Sequence, residues 1–371
     1  MIASPKQETG QVPKASGLPP PAVDLSIVIV NWNSADYVRR CVQAIRHNSP
    51  AFSYEIVVVD SGSFDRCGEM LNREFPEVRF VQSQSNVGFA SANNLGAGLA
   101  MGRFLLFLNP DTEVVGDALD KLVKALEQQP DAGLAGARLL NTDGSLQTSC
   151  IQSFPTILNQ VLDCEWLRRL FPRAGLWGMA PLCGKTSSPS PVEVVSGACI
   201  MIGRPLFEKL SGFDQRFFMY SEDLDLCYRV RLSGKACLYV PDAIVVHHGG
   251  GASSSARSMF SVVMMRESVC RLLKFHRSPF VAFGYRAALG CSAMVRLPLI
   301  LGWMAVRSIA DGSVDPTLFR KWIAILRWSL GLELWVRQQS GNGDIKPTPP
   351  LGPENCRAAS AEPETKKSCA V

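Results

Sequence analysis

The sequence is short of charge: Asp, Glu, Lys and Arg make up only 19% of its 371 residues, too few for a chain that stays unfolded or works as an acidic tail. Histidine is scarcer still, with four residues. Twelve cysteines are present, yet no two are spaced C-x-x-C and none clusters with a histidine, which argues against a zinc site. Instead they sit in apolar runs such as ACIMI and LCYRV, where a small buried thiol is expected. No G-x-x-x-x-G-K-[ST] occurs, so there is no P-loop, and no G-x-S-x-G, which removes the usual serine-hydrolase elbow. A basic segment followed by an apolar one is missing near Met1; the expectation is a cytoplasmic, reducing setting with no secretory signal.

What the chain does have is core-forming material, 47% hydrophobic, enough for one large domain or two ordinary ones. The net charge of +5 is unevenly spread. Residues 257–337 hold twelve Lys/Arg against four Asp/Glu, a net of +8 that leaves −3 for the rest. That asymmetry points to an anionic surface as a partner; no nucleic-acid partner is expected. Residues 1–23 and 340–371, rich in Pro, Gly, Ser and Lys, read as a disordered lead and tail.

Between them the pattern is α/β. LSIVIV (25–30) and EIVVVD (55–60) are short, β-branched and wholly apolar before their ends, as strands buried on both faces are. VRFVQS (78–83) and GRFLLFLNPD (102–111) add a third and a fourth. Helical patterns lie near 35–47, 65–74, 90–100 and 117–128. Strands and helices alternating through short connections predict a mostly parallel sheet covered by helices, whose ligand sits beyond the carboxyl ends of the strands. Asn31-Trp32-Asn33, Asp60-Ser61-Gly62-Ser63 and Asn109-Pro110-Asp111 then share one edge.

Each cluster has a plain reading and a chemical one. Asp60 is either a turn carboxylate or an acceptor for a ligand N–H. Asp111 either caps the next helix or binds a hard divalent cation. Ser221-Glu222-Asp223-Leu224-Asp225 places three carboxylates at the start of a helix, where the dipole favours one. Three repel one another, and a general base among them explains the crowding. His247-His248-Gly249-Gly250-Gly251 ends an apolar strand. Neighbouring strand residues face opposite ways, so at most one histidine enters a site.

In order along the chain, SIVIVNWN (26–33), IVVVDSGSFD (56–65), NVGFASANN (86–94), FLLFLNPDT (104–112), VSGACIMIGR (195–204), GFDQRFFMYSEDLDLCYRVRLSG (212–234) and VVHHGGGAS (245–253) resemble glycosyltransferase family 2. The resemblance is to its GT-A fold and its rhamnosyltransferase-like branch. It covers roughly residues 24–255 as a GT-A domain, with a basic amphipathic helical region at 256–339. It implies an inverting transfer of a sugar, rhamnose from dTDP-rhamnose by preference and a UDP-sugar otherwise. The acceptor is a lipid-linked or glycan hydroxyl. It also implies Asp223 as general base, and Asp111 and His247 as ligands of Mg²⁺ or Mn²⁺. Asn31, Asp60, Asn86, Gly88, Asn109 and Gly197 fall on the donor-and-acceptor side of the site. Asn109 stands where the family's D-x-D element has its first Asp.

Two other readings are weaker. A sugar nucleotidyltransferase would carry a glycine-rich, Arg-containing loop where VNWNSADY stands, and a non-catalytic sugar-nucleotide-binding subunit would be expected to lack Asp111 or Asp223. From 257 onward single arginines alternate with apolar clusters. Arg286 and Arg296 interrupt the stretch Phe280–Val306, so a spanning helix is disfavoured. Helices lying in the membrane interface, arginines at anionic headgroups, are expected instead, on the inner face of the membrane.

Overall fold

The run VDLSIVIVN, with four β-branched residues in succession from Ile27 to Val30, forms the central strand, β1 (Val23–Asn31). It pairs in parallel with β2 (Tyr54–Asp60) on one side and β4 (Gly102–Leu108) on the other, and β3 (Arg79–Gln82) extends the parallel set. The computed structural model describes residues 23–162, 187–249, 259–311 and 316–336. The expected lead and tail lie outside them, as do Gly250 and Gly251.

Alternation along β1 sends side chains to two cores. Ile27 and Ile29 meet α1 (Ala35–His47), α2 (Cys67–Glu74) and α4 (Ala118–Gln128) on one face. Val28 meets α3 (Phe89–Leu99) and the helices that follow on the other. Helix α1 earns its place by spacing: Val38, Cys41, Val42 and Ile45 form one buried stripe. Truncating a residue such as Ile27, which has no exposed surface, to Ala would cost about 2–5 kcal/mol.

The sheet is larger than the sequence pattern predicts. β5 (Thr112–Val115), β6 (Ala132–Leu140), β10 (Cys199–Gly203) and β11 (Ala236–His247) complete the order β3-β2-β1-β4-β10-β6-β11-β5. In chain order between them come β7 (Ile151–Gln152), α5 (Ile157–Val161), β8 (Ser190–Val192) and β9 (Val194–Val195); β8 pairs with β11, and β7 with β9. β10 runs antiparallel to both its neighbours, and β5 runs antiparallel to β11 with Thr112 opposite His247. That last pairing brings the ends of two strands 135 residues apart in sequence to one corner.

After α6 (Arg204–Lys209) and α7 (Glu222–Leu232) come three longer helices, α8 (Met259–His276), α9 (Pro279–Asp311) and α10 (Thr317–Ser329). Val263, Leu272, Tyr285, Leu289, Ile325 and Trp328 join Val28 and Phe107 of the sheet in one continuous core. The expectation that the arginines here face outward is corrected for four of them. Arg266 is buried, and Arg271 donates to the carbonyl of Arg216 at 2.5 Å. Arg286 donates to the carbonyls of Trp328 and Ser329. Arg296 donates to that of Val161 at 2.9 Å and lies over the Trp322 ring. For Arg286 the reason lies at the end of α10, where the last carbonyls of a helix have no partner within it and the dipole is negative. Arg286 supplies both needs. Of the cysteines among the described residues, Cys41, Cys67, Cys150, Cys199, Cys227 and Cys237 are buried free thiols as expected, whereas Cys270 is half-buried and Cys291 is exposed.

Candidate active site

Asn31 and Asp60 stand opposite each other at the ends of β1 and β2. Asn31 Nδ2 donates to Asp60 Oδ2 at 2.7 Å, and its Oδ1 accepts from the Ser34 hydroxyl at 2.8 Å. With no exposed surface and both ends of its amide engaged, Asn31 lies behind the edge and orients the residues on it. In this arrangement it supports Asp60. Asp60 Oδ1 accepts the backbone N–H of Ser63 at 2.7 Å. Each of its oxygens thus accepts one bond and keeps a second lone pair. Asp65, which the sequence pattern did not single out, accepts from the first amide of α1, Ala35 N, at 2.8 Å.

Asn86 forms a turn, its Oδ1 accepting from Gly88 N at 3.0 Å and from the Ser61 hydroxyl at 3.2 Å. Gly88 has φ +82°, and a Cβ there would lie 2.5 Å from the Phe218 carbonyl oxygen. Only glycine lets this turn dock against the segment that leads to Asp223. The same segment is pinned by Asn94, whose amide exchanges two hydrogen bonds with the backbone of Phe213, each 2.8 Å. Tyr220 and Ser221, immediately before α7, both have left-handed backbones, φ +67° and +66°. Each costs roughly 1–2 kcal/mol for a residue with a side chain, strain of the kind stored at functional sites.

The three carboxylates of α7 have different surroundings. Asp225 is 1% exposed and pairs with Arg229, Nε to Oδ2 2.7 Å, while His276 Nε2 lies 2.7 Å from its Oδ1. Glu222 is buried, and Oε2 has no hydrogen-bond partner; burial first, then the charge of Asp223, pushes its carboxyl well above the usual range. Asp223 Oδ2 accepts from Gly197 N at 2.8 Å and Oδ1 from Leu224 N at 2.9 Å. Burial raises its pKa while those two N–H groups pull it back. Of the three, Asp223 is the one that is neither ion-paired nor held well above its range.

Gly197 also connects Asp223 to the sheet. A Cβ there would sit 3.0 Å from Asp223 Oδ2, and the next residue, Ala198, accepts from Asn109 N at 3.0 Å. The carboxylate of α7 is therefore two residues from the end of β4, where Asn109, Pro110 and Asp111 follow. On the other side of that end, His247 Nε2 is 3.3 Å from Asp111 Oδ1, and Nδ1 is 2.7 Å from Gln147 Oε1. Gln147 Nε2 donates to Asn141 Oδ1 at 3.2 Å, which fixes the amide and leaves its oxygen toward the imidazole. In the tautomer whose Nδ1–H donates to Gln147, Nε2 turns a lone pair toward Asp111, and the two side chains would then share a cation; adjacent ligands of an octahedral Mg²⁺ lie about 3 Å apart. His248 points the other way, 2.8 Å from Glu113 Oε1 and against the Tyr37 ring. Strand alternation has separated the two histidines as expected. Among the described residues no group of three or more His, Cys, Asp or Glu gathers as a ready-made metal cage. Gln147 was not legible as a partner, because a hundred residues separate it from His247.

Known proteins resemble this chain in sequence and in fold. The family model described as "Glycosyl transferase family 2" matches residues 26–176. An N-acetylglucosaminyl-diphospho-decaprenol L-rhamnosyltransferase of Mycobacterium tuberculosis is 29% identical over 238 residues, 60% of this chain and 75% of that protein. The rhamnosyltransferase WbbL of Escherichia coli K12 is 24% identical over 230 residues, 60% of this chain and 82% of its own length. Among solved structures, the mannosyltransferase PcManGT of Pyrobaculum calidifontis, in complex with GDP-Man and Mn²⁺, superposes with a TM-score of 0.51 at 16% identity. That match covers 86% of this chain and 89% of the other. The chain thus resembles glycosyl transferase family 2 over residues 26–176 and shares its fold with a solved glycosyltransferase.

Proposed function

We propose that the protein transfers rhamnose from dTDP-rhamnose, with inversion, to a hydroxyl of a lipid-linked glycan precursor at the inner face of a membrane. The observation that carries the reaction is the link from Asp223 through Gly197 and Ala198 to Asn109. It sets a carboxylate with a raised pKa close to the strand end that bears Asp111. In this reading Asp223 takes the proton of the acceptor hydroxyl as that oxygen attacks the sugar C1. The bond from C1 to the diphosphate breaks on the opposite face, so one displacement inverts the centre, as in inverting glycoside chemistry. Asp60 accepts an N–H of the donor's pyrimidine with its remaining lone pairs, and Asn31 holds it in place. Gly88 lets the backbone approach the nucleotide closely.

Asp111 and His247 would hold a divalent cation, whose charge would offset the negative charge of a leaving diphosphate. Gln147 keeps the proton on Nδ1 of His247, so that Nε2 is available. Support for rhamnose as the transferred sugar comes from the two rhamnosyltransferase relatives, and the lipid-linked acceptor follows the name of the mycobacterial one.

The test is a screen of nucleotide sugars against the purified protein, reading release of nucleoside diphosphate, first in EDTA and then with Mn²⁺. The expected outcome is turnover with dTDP-rhamnose that EDTA abolishes and Mn²⁺ restores. Calorimetry in which UDP binds much more tightly than dTDP replaces the donor in this reading; turnover indifferent to EDTA removes the cation from it.

A further inference from the structure

Helix α9 is the longest in the protein and breaks the usual relation between apolarity and burial. It has 33 residues, about 50 Å at 1.5 Å per residue. From Pro279 to Ile309 it is long and apolar enough to cross a membrane, yet only 17% of its most apolar window is buried. Its inner stripe, Ala282, Tyr285, Leu289, Ala293 and Ile300, packs into the core shared with α8 and α10. Its outer stripe recurs at the same helical spacing: Phe280 (87% exposed), Phe283, Met294, Leu301, Val306 and Ile309 (88%). The two arginines of the first half, Arg286 and Arg296, lie on the inner side and bond to backbone carbonyls there. The outer stripe is therefore free of charge. A contiguous apolar surface of this extent marks an interaction site.

We infer that this outer stripe of α9 is a membrane-seating surface, immersed lengthwise at the boundary between the headgroups and the acyl chains of an anionic bilayer. The inference deepens the proposed work on a lipid-linked acceptor, although its evidence is independent of the active site. Three observations select lipid over a second copy of the chain. No acidic residue occurs between Pro279 and Ile309 or within α10, while Lys274, Arg277 and Arg320 are exposed on the same helical region. Two copies face to face would oppose like charges, whereas anionic headgroups complement them. At the far end, residues 301–309 are exposed around nearly the whole circumference, as a helix leaving the protein body for an apolar solvent would be. There Arg307 lies over the Trp303 ring, 5.0 Å from its centre, an aromatic and a cation of the kind that sits at headgroup level. The inner stripe's packing against protein argues against a span, because a crossing helix here would have to give up that core. Arginine contacts with headgroups then make a smaller contribution than buried apolar area, since Arg266, Arg271, Arg286 and Arg296 are turned inward.

The experiment uses the full chain with phosphatidylcholine vesicles, with and without phosphatidylglycerol. Wild type should bind both, more tightly with the anionic lipid. Met294→Glu and Val306→Glu, at positions already exposed, should each weaken partition at least about tenfold. Leu232→Glu, equally exposed but on α7, should not. Acyl-brominated lipid should quench a fluorescence component that Trp303→Phe removes. Calorimetry of nucleotide binding on the same samples separates the two proposals: vesicle binding without nucleotide binding sinks the catalytic reading and leaves this one standing. Vesicle binding untouched by the glutamates overturns the inference. So does a dimer in sedimentation that Met294→Glu splits, because the face would then belong to a second copy.

Discussion

Replacing Asp223 by Asn separates chemistry from binding with little change of shape. Asp223 accepts Gly197 N–H through one oxygen and Leu224 N–H through the other, at 2.8 and 2.9 Å. An amide can accept only one of these and turns its NH₂ group toward the other. A buried donor left unpaired costs about 1–3 kcal/mol, and part of that is offset because a carboxylate that burial disfavours is gone. Melting temperature should therefore move by a few degrees at most. Loss of the general base should lower kcat by about 10² to 10⁴, roughly 2.7–5.4 kcal/mol on the barrier. The assay is nucleoside diphosphate release at saturating donor, with the donor's Kd by calorimetry on the same preparation. A second readout comes from pH. The base must be deprotonated to act, and burial lifts its pKa above the ordinary 3.8, so wild-type activity should fall as pH drops through that raised value. The Asn variant should lack this acid limb. Wild-type turnover in the variant, or an acid limb that survives in it, would refute the assignment of Asp223.

The cation site yields two further outcomes. Asp111→Ala should weaken Mn²⁺-dependent nucleotide binding more than His247→Ala, because a carboxylate brings charge and a neutral imidazole does not; equal Mn²⁺ dependence in both variants and wild type would remove the site. Gln147→Leu should lower Mn²⁺ affinity about 10- to 100-fold, read from the spectrum of free Mn²⁺, with melting little changed. Glu222 predicts a pH effect on stability. Below its ordinary pKa of 4.5 it is protonated whether folded or unfolded. Above that value only the unfolded chain releases the proton, so stability falls with rising pH, by up to about 1.4 kcal/mol per unit, until the raised folded value is passed. Glu222→Gln should flatten this slope and melt above wild type near neutral pH; parallel pH curves for the two proteins would contradict it.

The strand ends were legible because buried parallel strands announce themselves: LSIVIV, EIVVVD and GRFLLFL leave no other use for so many β-branched and apolar residues in short runs. Helix α1 falls where its stripe predicts, at Ala35–His47. What escaped was whatever depends on partners distant in sequence. β6, AGLAGARLL, is built of small residues with weak strand preference and is fixed by β10 and β11 on either side. The choice among Glu222, Asp223 and Asp225 needed Arg229, His276 and Gly197. The choice between His247 and His248 needed Gln147 on one face and Glu113 on the other. Asn31 ends a strand, but only the fold shows that its amide is bonded to Ser34, Ser63 and Asp65 as well as to Asp60. The arginines of the last helices misled for a related reason: their sequence spacing could not reveal that the carbonyl end of α10 would draw Arg286 inward.

His276 joins the two halves of this molecule. It is the last residue of α8, three before α9 begins, and its ring lies 2.7 Å from Asp225 and 4.3 Å from the centre of the Tyr228 ring. Asp225 is two residues from Asp223 on α7, and its other oxygen is held by Arg229. The helix pair that carries the exposed apolar stripe is thus bonded, through a group that is 1% exposed, to the helix that carries the base. Pairing and burial make such a contact stiff, since breaking it would strand a carboxylate in the interior. If α9 seats on a bilayer as inferred, the orientation of Asp223 relative to that bilayer follows from this contact, from the bonds of Ser268 and Arg271 to the carbonyls of Met219 and Arg216, and from the core around Tyr285 and Trp328. A lipid-linked acceptor held at the same surface would then meet the base at a fixed height, without a separate element to guide it.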